Sequence, residues 1–313
     1  MVAGLEPINR FHRRDVPARF GGHARFREAR CGNPPDMQIL NRLEEARSLD
    51  GVAEKLQAVV TAVAKPRRLR DLLHGTYVGH AVHPVLVQLP VGAFMSAAVL
   101  DLVPGAHKAA TTLIGVGTAA TAPAVAAGWV DWSQLTKDRQ RVGLVHAAAN
   151  AVAITLYGAS LVARLRGGSG RALSYTGLTV AGLGAYLGGH LSYARGAGVS
   201  HAATELTRVP SAWTSVGPLA ELPTGKPVVR TVGDVPVLLW RDGDQVTAMI
   251  ERCSHAGGPL GEGEVTAEGC VVCPWHGSTF RLRDGVVVHG PASANQPLLR
   301  VRVTGGDVEV AQP

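Results

Sequence analysis

Four side chains in the last third of the chain form its most chemically specific pattern. One residue separates Cys253 from His255 and two separate Cys273 from His276, with 17 residues between the pairs. Thiolate and imidazole are ligands for transition metals. Each short segment offers one sulfur and one nitrogen, so two loops meeting at one end of a domain can grip a metal centre from both sides. Two irons bridged by sulfides take this set, two thiolates on one iron and two imidazoles on the other. Zinc also accepts two cysteines and two histidines, but zinc fingers keep like ligands together. The other cysteines are Cys270, expected to be a buried small apolar residue, and Cys31 in an arginine-rich stretch. With two of the four cysteines in a metal motif, a disulfide scaffold is not expected.

The elements that must position these ligands begin near Trp213. From there the chain reads as short β-rich runs, among them Val228–Val232, Val235–Trp240, Val246–Ile250 and Leu298–Val303. Turn signals such as Arg241-Asp242-Gly243-Asp244 and Arg283-Asp284-Gly285 separate them. The expected fold of residues 213–313 is an all-β sandwich or small barrel.

In ligand types, in both spacings, and in Gly257, Pro259-Leu260 and Gly277-Ser278, residues 211–313 resemble the Rieske family. The resemblance implies one [2Fe–2S] cluster on Cys253, His255, Cys273 and His276, with Ser278 able to hydrogen-bond a bridging sulfide. Cytochrome bc-type members carry a further cysteine in each cluster loop, paired as a disulfide. The corresponding positions here are Gly258 and Trp275, and Phe280 stands where those proteins place a tyrosine. Fewer donors to the cluster imply a potential below the bc-type range, closer to Rieske ferredoxins. Rieske oxygenases add a large domain with a two-histidine, one-carboxylate iron site. The chain ends about 40 residues after His276, so no oxygenase site is expected in it. His289 is expected to be exposed and is given no role.

The preceding region has a different texture. Four apolar stretches, about 82–103, 109–130, 144–163 and 172–194, each approach the roughly 20 residues that a bilayer needs, with charge confined to the gaps. Charged residues are only 18% of the chain, and alanine and glycine carry much of its apolar content, as in closely packed membrane helices. The expected fold is therefore an N-terminal α-helical transmembrane bundle of four spans over residues 72–195. Pro90 and Pro123 are expected to kink their helices, and Gly184 with Gly188 forms a GxxxG pair. Residues 1–36 lack an apolar period and are expected to be unstructured, with Met37 as the biological start. Residues 38–64 read as one amphipathic helix with Leu40, Leu43, Val52, Leu56, Val59 and Val63 near one face, within a unit 37–71 that ends in a basic flank. Residues 196–212 read as a linker.

The membrane half resembles an uncharacterised bacterial four-helix membrane domain family with an HPxL histidine motif. The resemblance rests on Gly79-His80-Ala81-Val82-His83-Pro84-Val85-Leu86 and Asp131-Trp132. It implies no chemistry, so the polar residues are read directly. His80 and His83 enter the first span, Asp131 closes the second, His146 opens the third with Asn150 one turn on, and His190 closes the fourth. Tracing the spans puts all of them at the face that carries the β domain. Ionisable groups at membrane depth are costly and default to functional candidates. His83, His146 and His190 are candidates for a b-type haem, a quinone head group or another metal. The alternative is a set of interfacial histidines bonded to backbone carbonyls and to Asp131.

The net charge of +7 does not point to nucleic acid, because the surplus lies before residue 210 and the last hundred residues are mildly acidic. Lipid head groups suit basic flanks better. Lys65, Arg67, Arg68, Arg70, Lys137, Arg139, Arg141, Arg195 and Arg208 fall on one side of the spans, and Lys108, Arg164, Arg166 and Arg171 on the other. The positive-inside rule then places both termini of a multi-pass plasma-membrane protein, and the β domain, in the cytoplasm. The expected function is one-electron transfer at the membrane surface with an unidentified redox partner protein. Two alternatives are a subunit of a quinone- or haem-linked membrane oxidoreductase and a redox or iron sensor with a non-catalytic cluster.

Overall fold

The structure, a computed structural model, describes residues 35–313. The expectations for Cys31 and for a disordered segment before Met37 lie, apart from residues 35 and 36, outside the described residues. The single amphipathic helix expected over 38–64 is instead broken: α1 (Pro35–Glu44), a short 3₁₀ turn at Arg47–Leu49, and α2 (Asp50–Val63). The expected apolar face does not pack as a unit. Leu40 and Ala53 are buried, while Val52, Val59 and Val63 are exposed. Polar anchors hold these helices instead, since Arg141 grips Asp50 through Nε and Nη2 at 2.7 and 2.8 Å and donates to the Glu44 carbonyl at 2.6 Å. Helix α3 (Arg67–His74) then ends at Gly75, whose φ of 81° is the left-handed cap that glycine allows. A Cβ at Gly75 would fall 2.2 Å from the His80 carbonyl oxygen, so no other residue fits this turn.

The bundle comprises α4 (His83–Leu86), α5 (Gln88–Leu100), α6 (His107–Trp132), α7 (Lys137–Leu165) and α8 (Arg171–Gly189). Among the described residues, three stretches are long and apolar enough to cross a membrane, His83–Leu100, His107–Trp132 and Lys137–Leu165, against the four expected. The fourth segment is a 19-residue helix, long enough, but its glycines, Ser174, Tyr175, Thr176 and Thr179 dilute its hydropathy. The first span breaks at Val87. Pro90 lacks the N–H that would bond the Leu86 carbonyl and its ring crowds that group. Pro123 lies inside α6, which runs unbroken.

The two helical hairpins α5–α6 and α7–α8 repeat one another. The buried positions Pro90, Phe94, Ala97 and Asp101 of α5 recur at constant spacing as Ala153, Tyr157, Ser160 and Arg164 of α7. Ile114, Gly117 and Ala124 of α6 recur as Ser174, Gly177 and Gly184 of α8. Equivalent residues of α5 and α7 meet face to face. The Phe94 and Tyr157 rings stack at 3.6 Å and 6°. Two turns further on, Arg164 and Asp101 form a fully buried bidentate ion pair. The partners meet in the same order along both helices, so α5 and α7 run parallel and a pseudo-twofold axis runs along the bundle.

The β domain has three antiparallel sheets. The first orders β1 (Thr214–Pro218), β10 (Asp307–Ala311) and β9 (Arg300–Thr304); the second is the meander β2 (Val228–Val232), β3 (Val235–Asp242), β4 (Gln245–Ile250). The third is β5 (Glu264–Val265), β6 (Cys270–Val272), β7 (Thr279–Arg281), β8 (Val287–His289). The expected linker is not free. It holds α9 (His201–Leu206), and Ala202 and Val209 enter the same core as Val232, Val237 and Val310. A second core, with Leu238, Met249, Leu260, Phe280 and Leu282, lies beneath the cysteines.

Candidate metal centre

Two loops carry the four sequence-predicted ligands. The β4–β5 connection holds Cys253 and His255, and the β6–β7 hairpin holds Cys273 and His276. Their backbones follow one plan. In the first, Cys253 N–H donates to Gly258 O at 2.8 Å and Gly257 N–H donates to Cys253 O at 2.8 Å. In the second, Cys273 N–H donates to Ser278 O at 2.8 Å and Gly277 N–H donates to Cys273 O at 3.0 Å. Gly257 and Gly277 turn each loop at φ of 75° and 76°, a left-handed conformation costly for residues with a Cβ. The histidine is third in one loop and fourth in the other, so the spacings differ while the folds agree.

The loops converge. The His255 and His276 rings lie 4.9 Å apart between centroids, at 86°. A Cβ at Gly258 would stand 2.9 Å from Cys273 Sγ and 3.0 Å from the Trp275 ring, so the bc-type disulfide positions adjoin here without cysteines. Both thiols are buried, and Cys270 is buried as expected. The two thiols bias each other: interaction with Cys253 draws the Cys273 thiol down to about 6, while the same interaction and burial push Cys253 up. Burial, with the nearby imidazoles of His276, His74 and His201, holds His255 down to about 3. Partial desolvation also lowers His276. Both rings are thus neutral at pH 7, the form that binds metal. His255 Nδ1 is buried and has no hydrogen-bond partner, a cost that a metal bond would remove. One site with two sulfurs, two neutral imidazoles and an orphaned ring nitrogen fits a [2Fe–2S] cluster.

Ser278 is fully buried and accepts the Ala292 N–H through Oγ at 2.9 Å, leaving its own proton for another acceptor. Gln296, unremarked in the sequence, stitches the first loop. Its Oε1 accepts the Ser254 N–H at 3.0 Å, and its Nε2 donates to the Ile250 and Arg252 carbonyls at 2.5 and 2.7 Å.

The first loop and the segment after β8 face the helical domain. Asp71 of α3, 1% exposed, accepts from His289 Nδ1 at 2.9 Å and from Gly290 N–H at 3.0 Å. His289 is therefore an interdomain donor rather than the exposed residue expected. Thr76 Oγ1 donates to Ala292 O, and His201 N–H to Ser254 O. His74 bonds Asp131 through Nδ1 at 2.7 Å, and its buried Nε2 has no partner. The second loop points outward, with Trp275 and His276 exposed. Asp71 and His74 were missed because charge and histidine in a basic flank look like ordinary solvated surface; their spacing on the last turns of a helix ahead of Gly75 was the available signal.

Among the candidate membrane histidines, His83 Nδ1 bonds Ala124 O at 2.8 Å and His146 Nδ1 bonds Gly184 O at 2.7 Å. His190 stands apart, paired through Nε2 with Glu44 at 3.0 Å, and His80 is exposed and bonds Ala81 O. The GxxxG glycines serve less for helix contact than for side chains of α7: Gly184 receives Asn150 and Gly188 receives the His146 ring.

Comparison with known proteins agrees with this division. Residues 212–304 match the Rieske [2Fe-2S] domain, and residues 79–201 match a predicted membrane protein family (DUF2231). The anthranilate 1,2-dioxygenase ferredoxin subunit of Burkholderia cepacia is 34% identical over 98 residues, which are 31% of this chain and 90% of that protein. The 3-phenylpropionate/cinnamic acid dioxygenase ferredoxin subunit of Escherichia coli K12 is 31% identical over 96 residues, 31% of this chain and 90% of that one. The structure of the ferredoxin of carbazole 1,9a-dioxygenase from Nocardioides aromaticivorans IC177 is 33% identical, covering 33% of this chain and all of that one, with a TM-score of 0.31.

Proposed function

The chain belongs to the Rieske [2Fe-2S] family through its C-terminal domain, and from that premise we propose that it is a membrane-attached one-electron carrier whose cluster is held by Cys253, His255, Cys273 and His276. The cluster supplies reversible one-electron chemistry when bound. The residues do the rest. Cys253 and Cys273 would hold the cluster as thiolates, each having lost its proton. His255 and His276 stay neutral. Ser278 is positioned to donate to a bridging sulfide, and the apolar core beneath the cysteines keeps bulk water from the sulfurs on that side. The observation that carries the reading is the convergence of two equivalent loops on one donor set, its thiols buried and its His255 Nδ1 unpartnered.

The partner is a redox protein that docks on the exposed Trp275–His276 edge, since the other edge is covered by α3 and α9. The relatives that are ferredoxin subunits of dioxygenases make a reductase or an oxygenase the fitting class. The helical domain attaches the carrier to lipid, with the β domain on the cytoplasmic face by the positive-charge asymmetry.

The test is electron paramagnetic resonance of the detergent-purified protein before and after dithionite, with iron and zinc analysis. A Rieske signal, with iron at two per chain, is expected, and it disappears in Cys273→Ser. Stoichiometric zinc, or no iron signal in the folded protein, overturns the ligand assignment. Accessibility of cysteines introduced at exposed β-domain positions, compared in cells and in inverted vesicles, tests the orientation.

A further inference from the structure

We propose that the helical domain holds a second redox cofactor, a b-type haem ligated by His83 and His146. Each imidazole has its Nδ1 within hydrogen-bond reach of a backbone carbonyl on the neighbouring helix, Ala124 O at 2.8 Å and Gly184 O at 2.7 Å. A carbonyl only accepts, so each Nδ1 carries the proton and each Nε2 is the unprotonated nitrogen of its ring. This is the tautomer in which histidine ligates metal through Nε2, fixed by its other ring nitrogen.

The two rings are equivalent. Ala124 and Gly184 correspond in the hairpin repeat, as do Gly128 and Gly188, one turn beyond. A Cβ at Gly128 would lie 2.9 Å from His83 Nδ1 and Cε1, and one at Gly188 would lie 3.0 Å from His146 Cε1. Each ring thus packs where the opposite helix has no side chain. Repetition of carbonyl, glycine and imidazole in both hairpins sets the two histidines on either side of the pseudo-twofold axis. The Asn150 amide is engaged with His146's own carbonyl at 2.9 Å, and approaches the ring nitrogens only at 3.3 and 3.4 Å.

The donor set selects the cofactor. A bare transition-metal ion takes three or four protein ligands. Around His83 and His146, among the described residues of the helical domain, no third His, Cys, Asp or Glu joins them in a group placed to hold a metal ion. Two neutral nitrogens, unaccompanied by carboxylate or thiolate, instead suit an iron that brings four equatorial nitrogens of its own. His190 and His80 are excluded from the pair by Glu44 and by exposure. The site also adjoins the β domain. Gly128 lies one turn before Asp131, Asp131 holds His74, and the His74 ring lies 3.3 Å from where a Cβ at Gly290 would stand.

The experiment uses the full chain, purified in detergent from haem-supplied cells, with haem quantified as its pyridine complex and the protein stripped and titrated with hemin. One low-spin haem per chain is expected. His83→Ala and His146→Ala should each fall to near none while keeping the cluster signal, which reports folding, and His190→Ala should keep its haem. His146→Met, which preserves a ligand, should bind haem at a raised potential. Wild-type protein that neither contains haem nor takes up hemin overturns the proposal, as does a stoichiometric quinone in its place. Full haem retention in both alanine variants also overturns it.

Discussion

The cluster domain and the helical bundle both present imidazoles from a doubled element, and they differ in what the doubling is made of. In the β domain, two loops share a hydrogen-bond plan and a left-handed glycine, and each carries a cysteine and a histidine on a short turn. The positions are set by backbone, so the residues that matter are contiguous. In the bundle, two hairpins share a pattern of burial, and the matched residues are turns apart and chemically unlike: Phe94 with Tyr157, Ala97 with Ser160, Asp101 with Arg164. Tight turns constrain residue identity, because few residues adopt them. Helix packing constrains volume at intervals and lets identity drift, provided that polar groups brought inside find partners.

The comparison can be broken at its strongest point. Removing one partner of the Arg164–Asp101 pair, as in Asp101→Ala, leaves a buried guanidinium without its counter-charge and should cost about 3–5 kcal/mol in a denaturation series in detergent. The double change to leucine should recover much of that loss. If Asp101→Ala is neutral, the two hairpins are not held as a matched pair.

A second cut falls between the regions. Asp71→Ala leaves His289 and the Gly290 N–H without their acceptor and should loosen the interface by about 1–3 kcal/mol. Hydrogen exchange should rise at Gly290 and Ala292 with the cluster signal intact. Unchanged protection there would show that the domains are not joined through this carboxylate.

The loops can be compared directly. Gly257→Ala and Gly277→Ala force a Cβ into the same left-handed turn and should each destabilise the domain by about 1–2 kcal/mol. Effects that differ widely between the two would refute their equivalence.

The smallest effect is electrostatic. The Arg281 guanidinium beside Asp284 holds its carboxyl below the usual carboxylate range. A depressed value in the folded state means that the pair's contribution is complete above the ordinary carboxylate pKa and is lost as pH falls through the folded value. The pair is partly exposed, so Asp284→Asn should cost about 0.5 kcal/mol or less at neutral pH, and nothing in strong acid. A loss that persists there would assign Asp284 a role other than charge.

The same contrast governs what could be read in the amino-acid order. The Cys/His pattern of the two loops, all four quoted strand runs within a residue or two, and both named turns were legible, because thiols, imidazoles, glycines and alternation carry their meaning locally. The bundle's existence was legible from apolar length. Its internal repeat was not, because Asp101 and Arg164 look like unrelated loop-end charges until their helices are laid side by side. The broken first helices were hidden for a similar reason: Val52, Val59 and Val63 keep a helical period, yet Arg141 and Asp50 decide where the segment lies. The interdomain contacts at Asp71, His74 and His289 depend on residues more than 200 positions apart, beyond any local signal.

The buried Asp101–Arg164 pair also bears on how the bundle assembles. Two hairpins of such similar shape risk pairing with their own kind in another chain while the membrane domain is being built. Two first hairpins brought together would set carboxylate against carboxylate, and two second hairpins guanidinium against guanidinium, each out of reach of water. Only the pairing of unlike hairpins neutralises the charge, so one ion pair tells each half of the bundle which partner is its own.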